Sequence, residues 1–333
     1  MRNKFVLLLA TSCLFLVGCQ KTTPKVVEAE TMTVSLNIKG DFDVAIDQDP
    51  LSKASTSSND VYGINVYYDK EGDDLTNDIY AYGLFDNVAD MTITLLANHN
   101  YKVCCTLVKD AKSTLYFGSA FGNSYLGYCY PFQTTTSNST VVNNKFILGT
   151  DAYLSGIYSG DAHIASTTSP STSNATKNAS VNRFYGQTDN YVPVPNGVID
   201  VYLKRAVFGA KFVVTGLEEG TLNVTCGDFY NKTYKSNSEG NETIYTLTDL
   251  RTDKLTTKAN ITYTSVRGTQ WDLTQSLDIT FKRNVMTTVN IKLNPDLSGG
   301  LFDLTEEEMD EDNDINMGIN ADGLIDVIVN PQN

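Results

Sequence analysis

The residues best suited to chemistry are two histidines, six cysteines and a carboxylate-rich stretch near the C-terminus. His99 lies in the turn Asn98-His99-Asn100, with no Cys, His or carboxylate at metal-ligand spacing. His163 has Asp161 as its one acidic neighbour, and one such neighbour is not a site. A Ser-His-Asp triad needs its members to meet only in space, but there is no G-x-S-x-G elbow. A phosphate-binding glycine loop and an H-E-x-x-H helix are also missing. Asp310, Asp312, Asp314 and Asn316 alternate oxygen ligands in a way that suits Ca²⁺. An EF-hand loop starting at Asp310 wants Gly at position 315 and Glu at 321, where the chain has Ile315 and Ala321. Starting at Asp312 puts Met317 in the glycine position. The stretch therefore reads first as an acidic solvated turn, with calcium as the alternative. No cofactor is implied, and the chain reads as a protein without catalytic activity.

Cys19 has more informative surroundings. Arg2 and Lys4 precede an apolar run from Phe5 to Val17, which ends at Gly18-Cys19 and gives way to Gln20-Lys21-Thr22-Thr23-Pro24-Lys25. A spanning helix needs ~20 apolar residues, so this run is too short to cross a bilayer and fits the h-region of a signal peptide. The pattern resembles a bacterial lipoprotein signal, in which the Cys becomes the acylated first residue. A plain signal peptide with a chance Cys is the alternative. Acyl chains contribute about 0.8 kcal/mol per buried CH₂, so two or more anchor stably. Gln20 in place of Asp after the Cys is the pattern associated with release to the outer membrane. Residues 1–18 are then the signal, and 19–30 a tether.

With Cys13 inside the signal and Cys19 acylated, the four remaining cysteines, Cys104, Cys105, Cys129 and Cys226, are sparse for a disulfide scaffold. Cys105 shares an alternating face with Tyr101, Val103 and Leu107, and Cys226 shares one with Leu222 and Val224, so both read as small core residues. Adjacent Cys104 and Cys105 point to opposite faces of a strand. The net charge of −14 opposes nucleic acid as a partner and favours solubility.

Short runs of β-branched and aromatic residues between turn residues predict an all-β chain. Met32–Ile38 alternates cleanly. Strands are also expected at Tyr62–Tyr68, Asp78–Phe85, Met91–Leu96 and Tyr101–Val108, giving a first sandwich over 31–196. From about Gly118 to Asn196 the pattern is irregular and polar, as in a surface loop or insertion. A second block, 197–295, opens on Ile199, Val201 and Leu203. It continues through Lys211–Thr215, Thr221–Cys226, Thr243–Leu247, Ile261–Val266 and Ser276–Arg283 to Val285–Leu293, the clearest alternation in the chain. This spacing fits a Greek-key sandwich. Residues 296–333 are an acidic appendix, with a short helix expected over Leu301–Met309, capped by Thr305, and a last strand at Leu324–Val329.

Val201-Tyr-Leu-Lys-Arg205-Ala-Val-Phe-Gly-Ala-Lys211-Phe-Val-Val resembles the L-x-R strand that opens the second domain of Bacteroidales fimbrillin-like lipoproteins. Phe281-Lys-Arg-Asn284-Val-Met-Thr-Thr-Val-Asn-Ile-Lys-Leu293 resembles the family's closing strand. Ile93-Thr-Leu-Leu followed by Tyr101-Lys-Val resembles a strand pair of its first domain. The resemblance implies two tandem transthyretin-like Greek-key β-sandwich domains and a role as a pilus stalk, tip or anchor subunit, or as a pilin-like surface lipoprotein. It also implies pilin-like partners joined by β-strand addition after proteolytic removal of the first strand. Met32–Ile38 is where that strand would lie, and Leu324–Val329 is a donor strand or an ordinary intramolecular one. No Arg occurs between Arg2 and Arg183, which leaves Lys39 and Lys53 as processing sites and favours an uncleaved anchor or accessory subunit.

The competing reading is a surface glycan-binding lipoprotein. Tyr116, Phe117, Tyr125, Tyr128, Tyr130 and Phe132 form an aromatic-rich stretch, of which Tyr125, Tyr128 and Tyr130 are the candidate ligand-facing rings; core packing explains them equally well. A host molecule or a glycan is the expected ligand in either case.

Overall fold

The structure is a computed structural model that describes residues 30–40, 59–70, 78–119, 126–136, 140–165, 175–273, 277–293 and 300–309. Cys19, Lys53, Tyr125, Asp310, Asp312, Asp314 and Leu324–Val329 lie outside the described residues.

The first half contains β1 (Thr31–Gly40), β2 (Val61–Tyr68), β3 (Asp78–Phe85), β4 (Thr92–Leu96), β5 (Tyr101–Val108), β6 (Phe117–Ser119), β7 (Leu126–Tyr128), β8 (Phe146–Leu148), β9 (Arg183–Tyr191) and β10 (Val198–Arg205). Eight of these form one sheet in the order β4-β1-β10-β9-β5-β2-β3-β8. The sheet folds over on itself at β10. That strand runs parallel to β1 from Val198 to Leu203 and then pairs with β9 through Lys204 and Arg205 alone. The result is sandwich-like. Val34, Leu36, Ile38, Ile199, Val201 and Leu203 from one layer share a core with Ile64, Val66, Val103, Cys105 and Leu107 from the other. Tyr80 of β3 donates to the Thr94 carbonyl of β4 at 2.8 Å across the open side.

The second half contains β11 (Val207–Thr215), β12 (Thr221–Cys226), β13 (Tyr230–Tyr234), β14 (Ser238–Glu239), β15 (Thr243–Thr246), β16 (Lys254–Thr264), β17 (Gln270–Asp272), β18 (Leu277–Lys282), β19 (Val285–Leu293) and β20 (Gly300–Glu308). One sheet has the order β14-β11-β19-β20 with β15 also on β11, and the facing sheet β13-β12-β16-β17 with β18 also on β16. Phe208, Phe212, Val289 and Ile291 from the first pack with Leu222, Val224, Cys226, Ile261 and Phe281 from the second.

The chain thus has the expected all-β class, with four corrections of detail. The strand expected to open the second block belongs to the first sheet, because Ile199, Val201 and Leu203 bury into the core of β1 and β5. The irregular segment contains a full strand, β9, paired to β5 along most of its length. The strand expected from Ile261 starts at Lys254. The helix expected over Leu301–Met309 is a strand, antiparallel to β19 from Leu293↔Gly300 to Val285↔Glu308. An isolated helix of this length is marginal in water, whereas the open edge of β19 offers a complete ladder of backbone partners.

The polar insertion is not merely a solvated loop. Phe132, Leu154, Ile157, Ala162 and His163 are buried, and the segment bridges the two halves. Gly160 donates its N–H to the Thr248 carbonyl at 2.8 Å, and Leu250 donates to Tyr158 at 2.9 Å. Three arginines complete the seam. The fully buried Arg183 donates to the Ser159 carbonyl, to the Gly156 carbonyl at 3.2 Å and to Thr106 Oγ1 at 3.2 Å. Arg205 donates to Asn182 Oδ1 at 3.0 Å and Asn284 Oδ1 at 3.2 Å. Arg283 donates to the Arg205 carbonyl at 3.1 Å, the Leu250 carbonyl at 2.7 Å and Asp253 Oδ1 at 2.9 Å.

The corner at β10 depends on Gly186 of β9, because a Cβ there would overlap the Tyr202 carbonyl oxygen. Gly186→Ala is expected to destabilise the fold by about 1–3 kcal/mol, as overpacking does. Chemical denaturation monitored by tyrosine fluorescence would show a lower midpoint; an unchanged midpoint would mean the two backbones do not approach this closely.

Candidate functional site: the first strand and its groove

β1 occupies an interior position in the sheet, with β4 antiparallel on one side along Thr31–Ser35 and β10 parallel on the other along Ser35–Gly40. The period of two puts Val34, Leu36 and Ile38 into the core and leaves Thr33, Ser35 and Asn37 toward solvent. Burying each aliphatic side chain contributes roughly 1.5–3 kcal/mol, and each ladder hydrogen bond about 1 kcal/mol net. Without β1, β4 and β10 would flank an open groove with three vacant hydrophobic positions and unpaired backbone groups on both walls.

Lys39 lies near the end of this strand. Its side chain is half exposed and reaches Asp200 at 2.9 Å, while Asn37 donates to the same carboxylate at 2.7 Å. The Lys39 hydrogen bond first, then that of Asn37, holds the Asp200 carboxyl below its usual range. Exposed pairs of this kind contribute little to stability. The backbone matters more: Lys39 and Gly40 are in register with Tyr202 and Leu203 of β10. A protease needs an extended chain free of such a ladder, so the end of β1 must detach before cleavage at Lys39.

The other sequence candidates divide. Tyr128, expected to face a ligand, is instead buried against Phe117 and Phe132. Tyr130 is half-buried and stands edge-on to His163, their ring centroids 5.7 Å apart. Cys104, Cys105, Cys129 and Cys226 are free and buried. Cys105 and Cys226 lie in the two cores and Cys104 on the opposite face from Cys105, as the alternation predicts. Among the described residues, no group of three or more His, Cys, Asp or Glu side chains could hold a metal ion.

Sequence spacing missed the carboxylate that meets His99. Asp69 lies across the turn between β4 and β5, with its Oδ1 3.0 Å from His99 Nδ1, and accepts the Asn100 N–H at 2.9 Å. The Asn100 side-chain amide reaches its other oxygen at 3.2 Å. This clasp ties the end of β2 to the turn before β5. Burial alone would raise the Asp69 pKa, but the hydrogen bonds from Asn100 and His99 outweigh it, so the folded value lies below 3.8. A depressed carboxyl contributes stability that is present above its unfolded pKa and lost as pH falls through the folded one. Asp69→Asn is therefore expected to cost about 1–3 kcal/mol at pH 7 and less at pH 3. Denaturation at the two pH values checks this, and an equal cost at both would remove the charge from the explanation.

No protein-family model matches the sequence, and no curated protein matches it. The solved structures to which this chain is similar include three fimbrial proteins. The fimbrial anchor protein of Porphyromonas gingivalis is 11% identical, with 83% of this chain and 96% of that chain covered and a TM-score of 0.33. The tip fimbrial protein of the same organism is 10% identical, with coverage of 83% and 99% and a TM-score of 0.30. A fimbrial assembly protein of Parabacteroides distasonis is 13% identical, with coverage of 86% and 98% and a TM-score of 0.29. Likeness at this level carries no functional inference.

Proposed function

We propose that this chain is a fimbrillin-like surface lipoprotein, held at the outer membrane through acylated Cys19, that acts as a pilus anchor or accessory subunit or as an adhesin without catalytic activity. The observation that carries this reading is the interior position of β1. The first described strand after the lipidated residue is an interior strand of the first sheet, paired on both sides, so the fold and the anchor are mechanically one piece. The pairing of Lys39 and Gly40 with β10 favours retention over release. The motif residues behind the family resemblance meet in space: Arg205 bonds Asn284, and Arg283 bonds the Arg205 carbonyl. Strand addition by another pilin-like subunit remains part of the proposal for a population cut at Lys39 or Lys53, because only the loss of β1 opens the groove.

Labelling cells with a radioactive or alkynyl palmitate and fractionating their membranes tests this. The wild-type chain is expected to carry label and to sediment with the outer membrane, with an N-terminus at Cys19. Cys19→Ser is expected to abolish labelling and shift the protein to the soluble fraction. A mature N-terminus after Lys39 or Lys53 in the surface population would overturn retention, and unlabelled wild-type protein would overturn anchoring.

A further inference from the structure

The face of the first sheet opposite its core carries a second group of tyrosines that the aromatic-rich stretch does not include. Tyr82, Asn65, Cys104 and Gln187 stand side by side across four strands, and Tyr67 and Lys102 occupy the next row. The insertion covers one end of this face. Asn65 clamps it there, donating from Nδ2 to the Leu154 carbonyl at 3.0 Å and accepting the Leu154 N–H on Oδ1 at 2.9 Å. Tyr153 and Tyr158, on the segment so clamped, are 36% and 37% exposed. Burial chiefly raises the pKa of Tyr67 on the sheet face, and both rings lie close enough to add to that rise.

Tyr158 and Tyr67 are each held beside a cation. The Arg251 guanidinium lies 4.4 Å from the Tyr158 ring centre and is itself fixed by a forked pair of bonds to Asp249 at 2.9 and 2.7 Å. Lys102 Nζ lies 4.9 Å from the Tyr67 ring centre. Tyr185 donates to Gln187 Oε1 at 2.8 Å, and Gln187 Nε2 donates to Asp189 at 2.9 Å. Gln187 and Asp189 are both exposed, so this chain of bonds ends in a carboxylate open to solvent. The second half of the molecule contributes Arg251, so the group forms only when the seam between the halves is closed.

We propose that this surface binds a pyranose glycan, whose C–H face stacks on Tyr153 and Tyr158 while its hydroxyls bond to Asp189, Gln187 and Lys102. The chemistry separates this occupant from others. A docking peptide strand needs an unpaired sheet edge, but β2 and β5, which carry Asn65, Tyr67, Lys102 and Cys104, are paired on both sides along their length. A nucleic acid would meet Asp189 and Asp249 on a chain of net charge −14. A purely apolar ligand would strip water from the carboxylate, amide and ammonium groups without replacing their hydrogen bonds. A sugar ring offers both an apolar face and hydroxyls that donate and accept. Burial raises the pKa values of Tyr67 and Tyr185, which keeps both phenols neutral.

This proposal does not rest on the anchoring reading and is tested separately from it. The detergent-solubilised full chain is run in native gels cast with soluble β-glucan, xylan, galactomannan or α-mannan. Wild-type protein is expected to be retarded by at least one of these polymers. The double substitution Tyr153→Ala, Tyr158→Ala should weaken retardation at least tenfold, and Tyr158→Phe, which keeps the ring, should retain it. Asp189→Asn changes only an exposed group and should weaken retardation severalfold with an unchanged melting temperature, which keeps the test informative if the double variant misfolds. Trp271, exposed and stacked on Tyr263 in the other half, serves as the control. Absence of retardation in all four gels, wild-type retardation by both the tyrosine and Asp189 variants, or a loss that follows Trp271→Ala instead would overturn the proposal.

Discussion

An arginine taken out of water needs hydrogen-bond acceptors in the directions set by its rigid planar fork. Arg183, Arg205 and Arg283 impose that demand together at the junction of the two halves. Their acceptors are mostly backbone carbonyls and Asn side chains: Gly156 and Ser159 from the insertion, Leu250 from the turn before β16, and Asn182 and Asn284 from opposite halves. Burial pulls the Arg183 pKa down while nearby Asp161 opposes it, and a guanidinium has ample margin to stay protonated at neutral pH. A charge buried with carbonyl partners is stable only while every partner stays in place, so the insertion, β9, β10 and the second block are locked into one arrangement.

That arrangement gives meaning to the rest of the molecule. The insertion, held by Arg183 and by the Asn65 clamp, delivers Tyr153 and Tyr158 to the outer face of the first sheet. The same seam brings Arg251 over Tyr158. On the other side, β10 can turn from β1 toward β9 only because Gly186 has no side chain in its path. The groove that holds β1 is therefore a consequence of the same junction that builds the tyrosine surface.

Much of the architecture was legible in the chain. β1, β12 and β19 are legible because each buries mainly one face, which imposes a period of two on side-chain polarity, and β5 because it is an apolar run buried on both faces. β9 was hidden because its buried half, Arg183-Phe184-Tyr185-Gly186, mixes a charged residue and a glycine into positions where the pattern expects apolar side chains. Leu301–Met309 forms no helix because the local signals of its Thr-Glu-Glu-Glu sequence, which favour a helix start, lose to an antiparallel ladder with β19, the strand just before it in the chain. Tyr128 and Tyr130 stand out by composition, but composition says nothing about which ring faces water.

The sequence alone determined that this is an all-β chain with few cysteines and an acidic balance, because those properties follow from local pattern and composition. Only the tertiary structure decided where the first strand sits, that 198–205 closes the first sheet instead of opening the second, and which tyrosines share a surface. Each of these depends on contacts between residues far apart in the chain, such as Arg205 with Asn284 and Asn65 with Leu154. Such pairs leave no periodic trace, since a buried polar side chain is satisfied by the geometry of its partners and not by its neighbours in sequence.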